Sequence, residues 1–230
     1  MLKKNKTIRM NNNKEFKIRA SANGQIMGVR GLGKTGETYV KKWLLSNQFN
    51  RQFEIKNKYL ERGNVSENES IEFASKMLNI ELHKNEKYFE NDFFSGTPDV
   101  IYKDELVIDM KNSWDWSTFP FFDKDITNSD YYGQLQVYMN LTGIKKAKLI
   151  YTLLDTPEHL IEKEAWYYCK NLGLEELDFD IFETFQNKMT YSDIEEKDRI
   201  KIFNIDYDSE FIEKLENRVL YCRKLIKKEY

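Results

Sequence analysis

The stretch Gly96-Thr97-Pro98-Asp99, followed ten residues after Asp99 by Asp109-Met110-Lys111, constrains this chain more than any other feature in it. Val100 to Tyr102 is β-branched or aromatic, and Leu106-Val107-Ile108 repeats that character on the return, so both arms read as strands of a short hairpin. With Lys103, Asp104 and Glu105 as the turn, Tyr102 faces Leu106, and counting back along the ladder puts Asp99 opposite Asp109. Opposed residues share a face with Cβ atoms about 4.5–5.5 Å apart, near enough for two carboxylates to hold one divalent cation. Lys111 lies on the same face, while Met110 points the other way into a core. Two carboxylates forced together repel unless a cation or a proton intervenes, so the hairpin reads as a metal site. The competing reading is a solvated hairpin in a charge-rich chain, and a loop one residue shorter would break the pairing. Leu106 to Met110 is apolar on both faces, however, which suggests a buried central strand whose terminal charges need a reason.

A third acid comes from upstream. Ser66-Glu67-Asn68-Glu69 reads as the opening of a helix to Leu78, with Ser66 as N-cap and Glu69 completing a capping box. On that helix Glu67, Ile71, Ala74 and Leu78 form one face, and Glu69, Glu72 and Lys76 form a separate polar one. Glu67 therefore extends the apolar stripe into whatever cleft lies at the helix start. An acid that merely complements the helix dipole contributes about 0.3–1 kcal/mol, which explains the first turn but not the apolar face.

Glu67, Pro98-Asp99 and Asp109-x-Lys111, in this order around a hairpin, resemble the PD-(D/E)XK nuclease superfamily. Gln134-Leu135-Gln136-Val137-Tyr138 resembles the Gln-x-x-x-Tyr helix of its exonuclease branch. The tract Tyr131 to Gly143, the strand and turn from Leu149 to Pro157, and Gly63-x-x-x-Glu67 are similar to phage recombination exonucleases of the lambda-exonuclease (YqaJ-like) type. The resemblance covers residues 16 to 170 and is weaker in the acidic C-terminal part. It implies an α/β fold, a mixed central β-sheet flanked by helices with a helical C-terminal extension. It also implies Mg²⁺, one or two ions with Mn²⁺ able to substitute, held by Asp99, Asp109, the Met110 backbone carbonyl and Glu67 directly or through water. Such a hard ion prefers oxygen ligands and polarises a scissile phosphate. Lys111 would position the attacking water and balance charge, since a lysine of ordinary pKa near 10.4 is a poor base at neutral pH. Gln134 and Tyr138 would line the site, sharing a helix face with Leu141; the alternative for both is the polar edge of a packing helix.

Gly28-Val29-Arg30-Gly31-Leu32-Gly33-Lys34-Thr35 satisfies the G-x-x-x-x-G-K-[ST] pattern of a P-loop. The preceding Arg19 to Gln25 is polar and glycine-broken rather than a buried strand, so ATP hydrolysis is disfavoured. Arg30 and Lys34 read instead as DNA-backbone contacts, with a solvated basic loop as the alternative. Net charge is −2, yet residues 1–60 hold 14 Lys/Arg against 3 Asp/Glu while the remainder holds 22 against 35. A basic portion on an acidic body suits an enzyme that grips a DNA backbone at one place. By the resemblance, Arg19 and Ser21 are candidates for a terminal phosphate. Trp114, Trp116, Phe119, Phe121 and Phe122 crowd the loop after Lys111; base stacking, an oligomer interface and core packing all remain open for them.

Length suits a single nuclease domain over residues 16–230, its core near 60–170 and a helical part at 171–230, behind a flexible basic tail over 1–15. Pro157 to Leu172 and Ser209 to Lys228 read as helices. Two cysteines are too few for a four-cysteine iron–sulfur cluster, and no apolar leader or span appears, which gives a cytoplasmic expectation. Taken with the resemblance, the expectation is an exonuclease digesting linear double-stranded DNA from an end, 5′→3′, in phage-type recombination. Its implied partners are DNA ends, a single-strand annealing protein and further copies of itself in a trimer, inside the bacterial host of a phage or prophage. An endonuclease on the same scaffold, or a catalytically silent binding descendant, is the alternative.

Overall fold

The structure, a computed structural model, describes residues 15–28, 31–51 and 58–229. In chain order, β1 (Ile18–Arg19) runs into a 3₁₀ segment (Ala20–Ile26), followed by α1 (Gly33–Phe49) and α2 (Lys58–Leu78). Strands β2 (Phe89–Glu90), β3 (Phe94–Gly96), β4 (Val100–Tyr102) and β5 (Leu106–Asn112) come next. Then follow α3 (Ser129–Thr142), β6 (Lys146–Thr152), α4 (Glu158–Asn171), α5 (Phe179–Met189), β7 (Ile200–Asp206) and α6 (Ser209–Glu229).

The main sheet has the order β4-β5-β6-β7, and a smaller one the order β1-β3-β2. β5 and β6 are parallel, connected through α3, while β4 and β7 are antiparallel to their neighbours, so the sheet is mixed. The hairpin has the expected register, Val100 against Ile108 and Tyr102 against Leu106. Lys103 and Asp104 take φ values of 51° and 56°, and the Glu105 amide donates to the Tyr102 carbonyl at 3.0 Å. Left-handed backbone at both central positions matches the right-handed twist of the strands it joins.

Alternation along β5 sorts its side chains between two cores. Ile108 and Met110 face α2, where Ile71 and Ala74 are buried against them. Val107 faces the other way, toward Leu135 and Met139 of α3 and Leu215 and Val219 of α6. Every residue from Gly133 to Met139 is buried, because α3 is covered by the sheet on one side and by the 3₁₀ segment on the other. Asn128 caps α3, its side chain accepting from the Asp130 amide at 2.9 Å. Gly143 ends the helix at φ 79°, a left-handed position that suits glycine. Gln136 ties α3 to the far end of β7: its amide donates to the Asp206 carbonyl at 2.9 Å and accepts from the Asp208 amide at 2.8 Å.

Two sequence expectations change and one holds. Helix α2 starts at Lys58, so Ser66 is not an N-cap and Ser66–Glu69 is not a capping box. Ser66 is a buried interior residue whose hydroxyl has no hydrogen-bond partner among the described residues. Gly63 and Asn64 look like a break, but one glycine inside a helix costs only about 1 kcal/mol, which packing overrides. As the polar, glycine-broken sequence leads one to expect, the glycine-rich loop is preceded by the 3₁₀ segment rather than the buried parallel strand that a P-loop leaves. The C-terminal part is not purely helical: β7 pairs with β6 from Lys146–Asp206 to Thr152–Ile200. Its Ile-Lys-Ile-Phe-Asn-Ile-Asp pattern carries the alternation of a half-buried strand. Among the described residues no helix is long and apolar enough to cross a membrane.

The contact between α3 and the 3₁₀ segment leaves no room for a methyl group. A Cβ on Gly133 would lie 2.0 Å from Asn23 Oδ1 and 2.9 Å from a Phe211 ring carbon. Asn23 is itself fixed, donating to the Ala20 carbonyl at 2.9 Å and the Asp130 carbonyl at 2.8 Å. Gly133→Ala is therefore expected to destabilise the protein by about 1–3 kcal/mol despite the better helix propensity of alanine. Urea unfolding followed by circular dichroism measures this, and an unchanged midpoint would contradict the tight packing.

Candidate active site

Asp109 sits in the middle strand with its side chain fully buried, a position that requires partners for both carboxylate oxygens. Gln134, one turn before Tyr138 on α3, donates from Nε2 to Asp109 Oδ1 at 3.0 Å and to the Tyr138 hydroxyl at 3.0 Å. Lys111 Nζ stands 2.5 Å from Asp109 Oδ2 as an ion pair. The same ammonium lies 4.8 Å from the centroid of the Tyr131 ring, so α3 supplies three side chains around the two charges of β5.

Asp99 arrives on the loop between β3 and β4. Its Oδ2 accepts from the Met110 amide at 2.7 Å, which latches it beside Asp109 as the hairpin register requires. Gly96 opens the way: a Cβ there would meet the Tyr138 ring at 2.7 Å and Ala20 Cβ at 3.1 Å. Glu67 sits on α2 one turn before Ile71, and its Oε2 is 3.0 Å from Lys84 Nζ. Glu69 and Glu72 are exposed on the separate polar face.

The electrostatics record this crowding. Burial, followed by the charge of Asp109, pushes the Asp99 carboxyl up to about 7, against the opposing pull of Lys111 and the Met110 amide; Glu67 adds a smaller push upward. For Lys111, burial favours the neutral form, but Asp109 and Asp99 outweigh it and hold the ammonium above its ordinary range. A lysine held charged in this way is suited to fixing a water or a phosphate oxygen, not to removing a proton. Tyr138 is raised by burial and then by Asp109, so it remains a neutral hydroxyl. As placed, the lysines occupy Asp109 and Glu67, and among the described residues no three His, Cys, Asp or Glu side chains stand close enough together to share one ion.

The candidate DNA contacts distribute differently. Arg19 is exposed and pairs with Ser95 in the β1–β3 ladder, one residue before the Ala20–Gly96 contact, and Ser21 is exposed beside it. Lys34 is exposed in the first turn of α1, and Arg30 lies outside the described residues, as do Lys3, Lys4, Lys6 and Arg9 of the expected tail. Residues not anticipated hold these pieces in place: Arg218 of α6 donates to the Ile26 carbonyl at 2.6 Å and the Gly31 carbonyl at 2.5 Å. Lys84 was also missed, since the irregular segment 81–88 carries no periodicity. The aromatic loop splits. Phe119 and Phe121, with ring centroids 4.6 Å apart, pack with Leu153 and Tyr191, whereas Trp114 is half-buried and Trp116 and Phe122 are 58% and 95% exposed.

No protein-family model matches the chain, and no curated protein matches it. Solved structures do. A phage-related exonuclease from Haemophilus somnus 129PT matches with a TM-score of 0.74 at 26% identity, over 96% of this chain and 100% of its own. The alkaline exonuclease LHK-Exo from Laribacter hongkongensis matches with a TM-score of 0.65 at 14% identity, over 93% of this chain and 89% of its own. The same enzyme in complex with dAMP matches at 0.61 and 15% identity, over 92% and 89%. The chain has the fold of these exonucleases, and its resemblance to the PD-(D/E)XK superfamily and the lambda-exonuclease type extends to the whole structure. That likeness supports a nuclease.

Because folding raises the Asp99 pKa from 3.8 to about 7, the unfolded chain releases this proton first as pH climbs. The metal-free protein therefore loses stability between about pH 4 and pH 7 through this group. Asp99→Asn should be more stable than the parent by at least about 1 kcal/mol at pH 8 in EDTA, with the gain gone near pH 4. Denaturant melts at the two pH values test it; no gain at pH 8 would mean that Asp99 is not a carboxylate under strain.

Proposed function

We propose that this protein is a Mg²⁺-dependent exonuclease that hydrolyses linear double-stranded DNA from an end, 5′→3′, in phage-type recombination. The observation that carries the reading is the convergence of Asp99, Asp109 and Lys111 with Gln134 and Tyr138 on one buried cluster, with Glu67 within electrostatic reach. The likeness to a phage-related exonuclease over the whole chain supports an exonuclease over an endonuclease.

The residues fit a hard divalent ion. Burial and like charge leave Asp99 reluctant to ionise beside Asp109, the situation that a cation relieves. Mg²⁺ keeps several waters and uses one or two carboxylates, so Asp99 and Asp109 suffice as direct ligands, with the Met110 carbonyl and Glu67 completing the shell directly or through water. Bound there, Mg²⁺ or Mn²⁺ supplies Lewis-acid polarisation of the scissile phosphate and activation of the attacking water. Lys111, kept charged, positions that water and offsets charge on the phosphoryl group in the transition state. Gln134 holds Asp109 in orientation, and Tyr138 anchors Gln134.

Arg19 and Ser21, beside the strand that leads to Asp99, suit the terminal phosphate, with Arg30 and Lys34 along the backbone beyond it. Trp114 and Trp116 suit bases at the opened end. We assign residues 16–230 to one nuclease domain. Assembly into trimers, a single-strand annealing protein as partner and a cytoplasmic site of action in a phage or prophage host follow from the family resemblance.

The test uses end-labelled linear duplex and closed circular plasmid, each with Mg²⁺ or EDTA. Mg²⁺-dependent loss of the linear DNA alone is expected, with the label position giving polarity. Cutting of the circle would mean an endonuclease, and cutting of neither a binding role. Asp109→Asn is expected to abolish cutting by at least about 100-fold while fold and DNA binding persist; unchanged activity would sink the site assignment.

A further inference from the structure

The acidic cluster holds a second lysine that the sequence does not announce. Lys84 Nζ is 3.0 Å from Glu67 Oε2, with the two side chains 43% and 24% exposed. Its placement is built into the backbone. Lys84 makes an isolated antiparallel bridge to Val100, the first residue of β4. The next residue, Asn85, donates its amide to the Asp99 carbonyl at 2.7 Å and its side chain to the Pro98 carbonyl at 2.9 Å. Asn85 also donates to the Lys87 carbonyl at 3.1 Å, closing a small turn around itself. The segment is thus a strap across the Pro98-Asp99 loop, and it carries the Lys84 ammonium to Glu67.

We propose that Lys84 is a positioning residue of the site: its ammonium holds Glu67 in the metal-free protein and competes with a divalent cation for that carboxylate. The inference rests on the nuclease reading of the acidic cluster. Among the described residues Lys111 pairs with Asp109 and Lys84 with Glu67, while Asp99 accepts from the Met110 amide. Lys84 would repel a divalent ion held by Asp99 and Asp109, and would compete with it for the Glu67 carboxylate oxygen it already pairs with. Lys84 therefore keeps Glu67 in place while the site is empty and sets a threshold for filling it. Because the strap is made by main-chain groups and Asn85, the Lys84 side chain can be replaced without dismantling the fold.

The test is Mn²⁺ binding to the full-length protein without DNA, read from the free-ion signal by electron paramagnetic resonance. Lys84→Met should bind Mn²⁺ about two- to fivefold more tightly, the factor that corresponds to losing a partly exposed ion pair. Lys84→Arg should keep the parental affinity, and Asp109→Asn should lose binding. Unchanged or weaker binding by Lys84→Met overturns the inference, since a merely structural lysine would lower affinity and melting temperature together. Lack of Mn²⁺ binding by the parent, or parental binding by Asp109→Asn, overturns the site reading itself, whatever Lys84→Met does.

Discussion

A carboxylate with no exposed surface in the central strand of a sheet governs the arrangement around it. Asp109 would destabilise this fold severely if left unpaired, because a buried charge without partners costs far more than any single contact returns. Its two oxygens are met from two directions, by Gln134 on α3 and by Lys111 on its own strand. The first partner requires α3 to dock at a definite rotation; the second requires the strand to keep its alternation through Lys111. Helix, strand and hairpin are thereby locked into one geometry around a single buried carboxylate.

That geometry is supported from behind on every side. Ile108 and Met110, on either side of Asp109 in β5, sink into the core made with α2, so the face that carries Asp109 and Lys111 cannot rotate without exposing apolar surface. Gln136, two residues from Gln134 and on a different face, pins α3 to the β7–α6 junction. Asn23 and the absence of a side chain at Gly133 bring the 3₁₀ segment against α3, and the absence of one at Gly96 lets the Tyr138 ring approach. The exposed Arg19 and Ser21 inherit a fixed relation to Tyr138 from these contacts, and Arg218 extends the same restraint to the glycine-rich loop.

Much of this was legible beforehand. The alternation of Val100–Tyr102 and Leu106–Ile108 and the turn between them placed Asp99 opposite Asp109, and the Met110 latch on Asp99 agrees with that register. The face shared by Glu67, Ile71 and Ala74 was read correctly, although the helix begins eight residues before the expected cap at Ser66. Local chemistry misled there: Ser-x-x-Glu after Gly-Asn imitates a helix start, and only packing along the whole of α2 overrides it. The glycine-rich Gly28–Thr35 pattern matches a motif whose physical requirement, a buried strand before the loop, was already missing from the sequence and is not met in the structure. β7 went unread behind an acidic stretch although its period-two pattern was present.

By itself the sequence determined the hairpin register, the face of α2 that carries Glu67, and the helix on which Gln134 and Tyr138 align. Each of these is local, set by a period of 2 or 3.6 residues and by turn chemistry within a dozen positions. Tertiary structure alone decided that Lys84 pairs with Glu67, that Asn23 and Arg218 fasten the N-terminal segment, and that Phe119 is core while Trp116 and Phe122 are exposed. Those contacts join positions 17 to 192 residues apart, or depend on which apolar side chains the distant Leu153 and Tyr191 cover, and neither leaves a period in the chain.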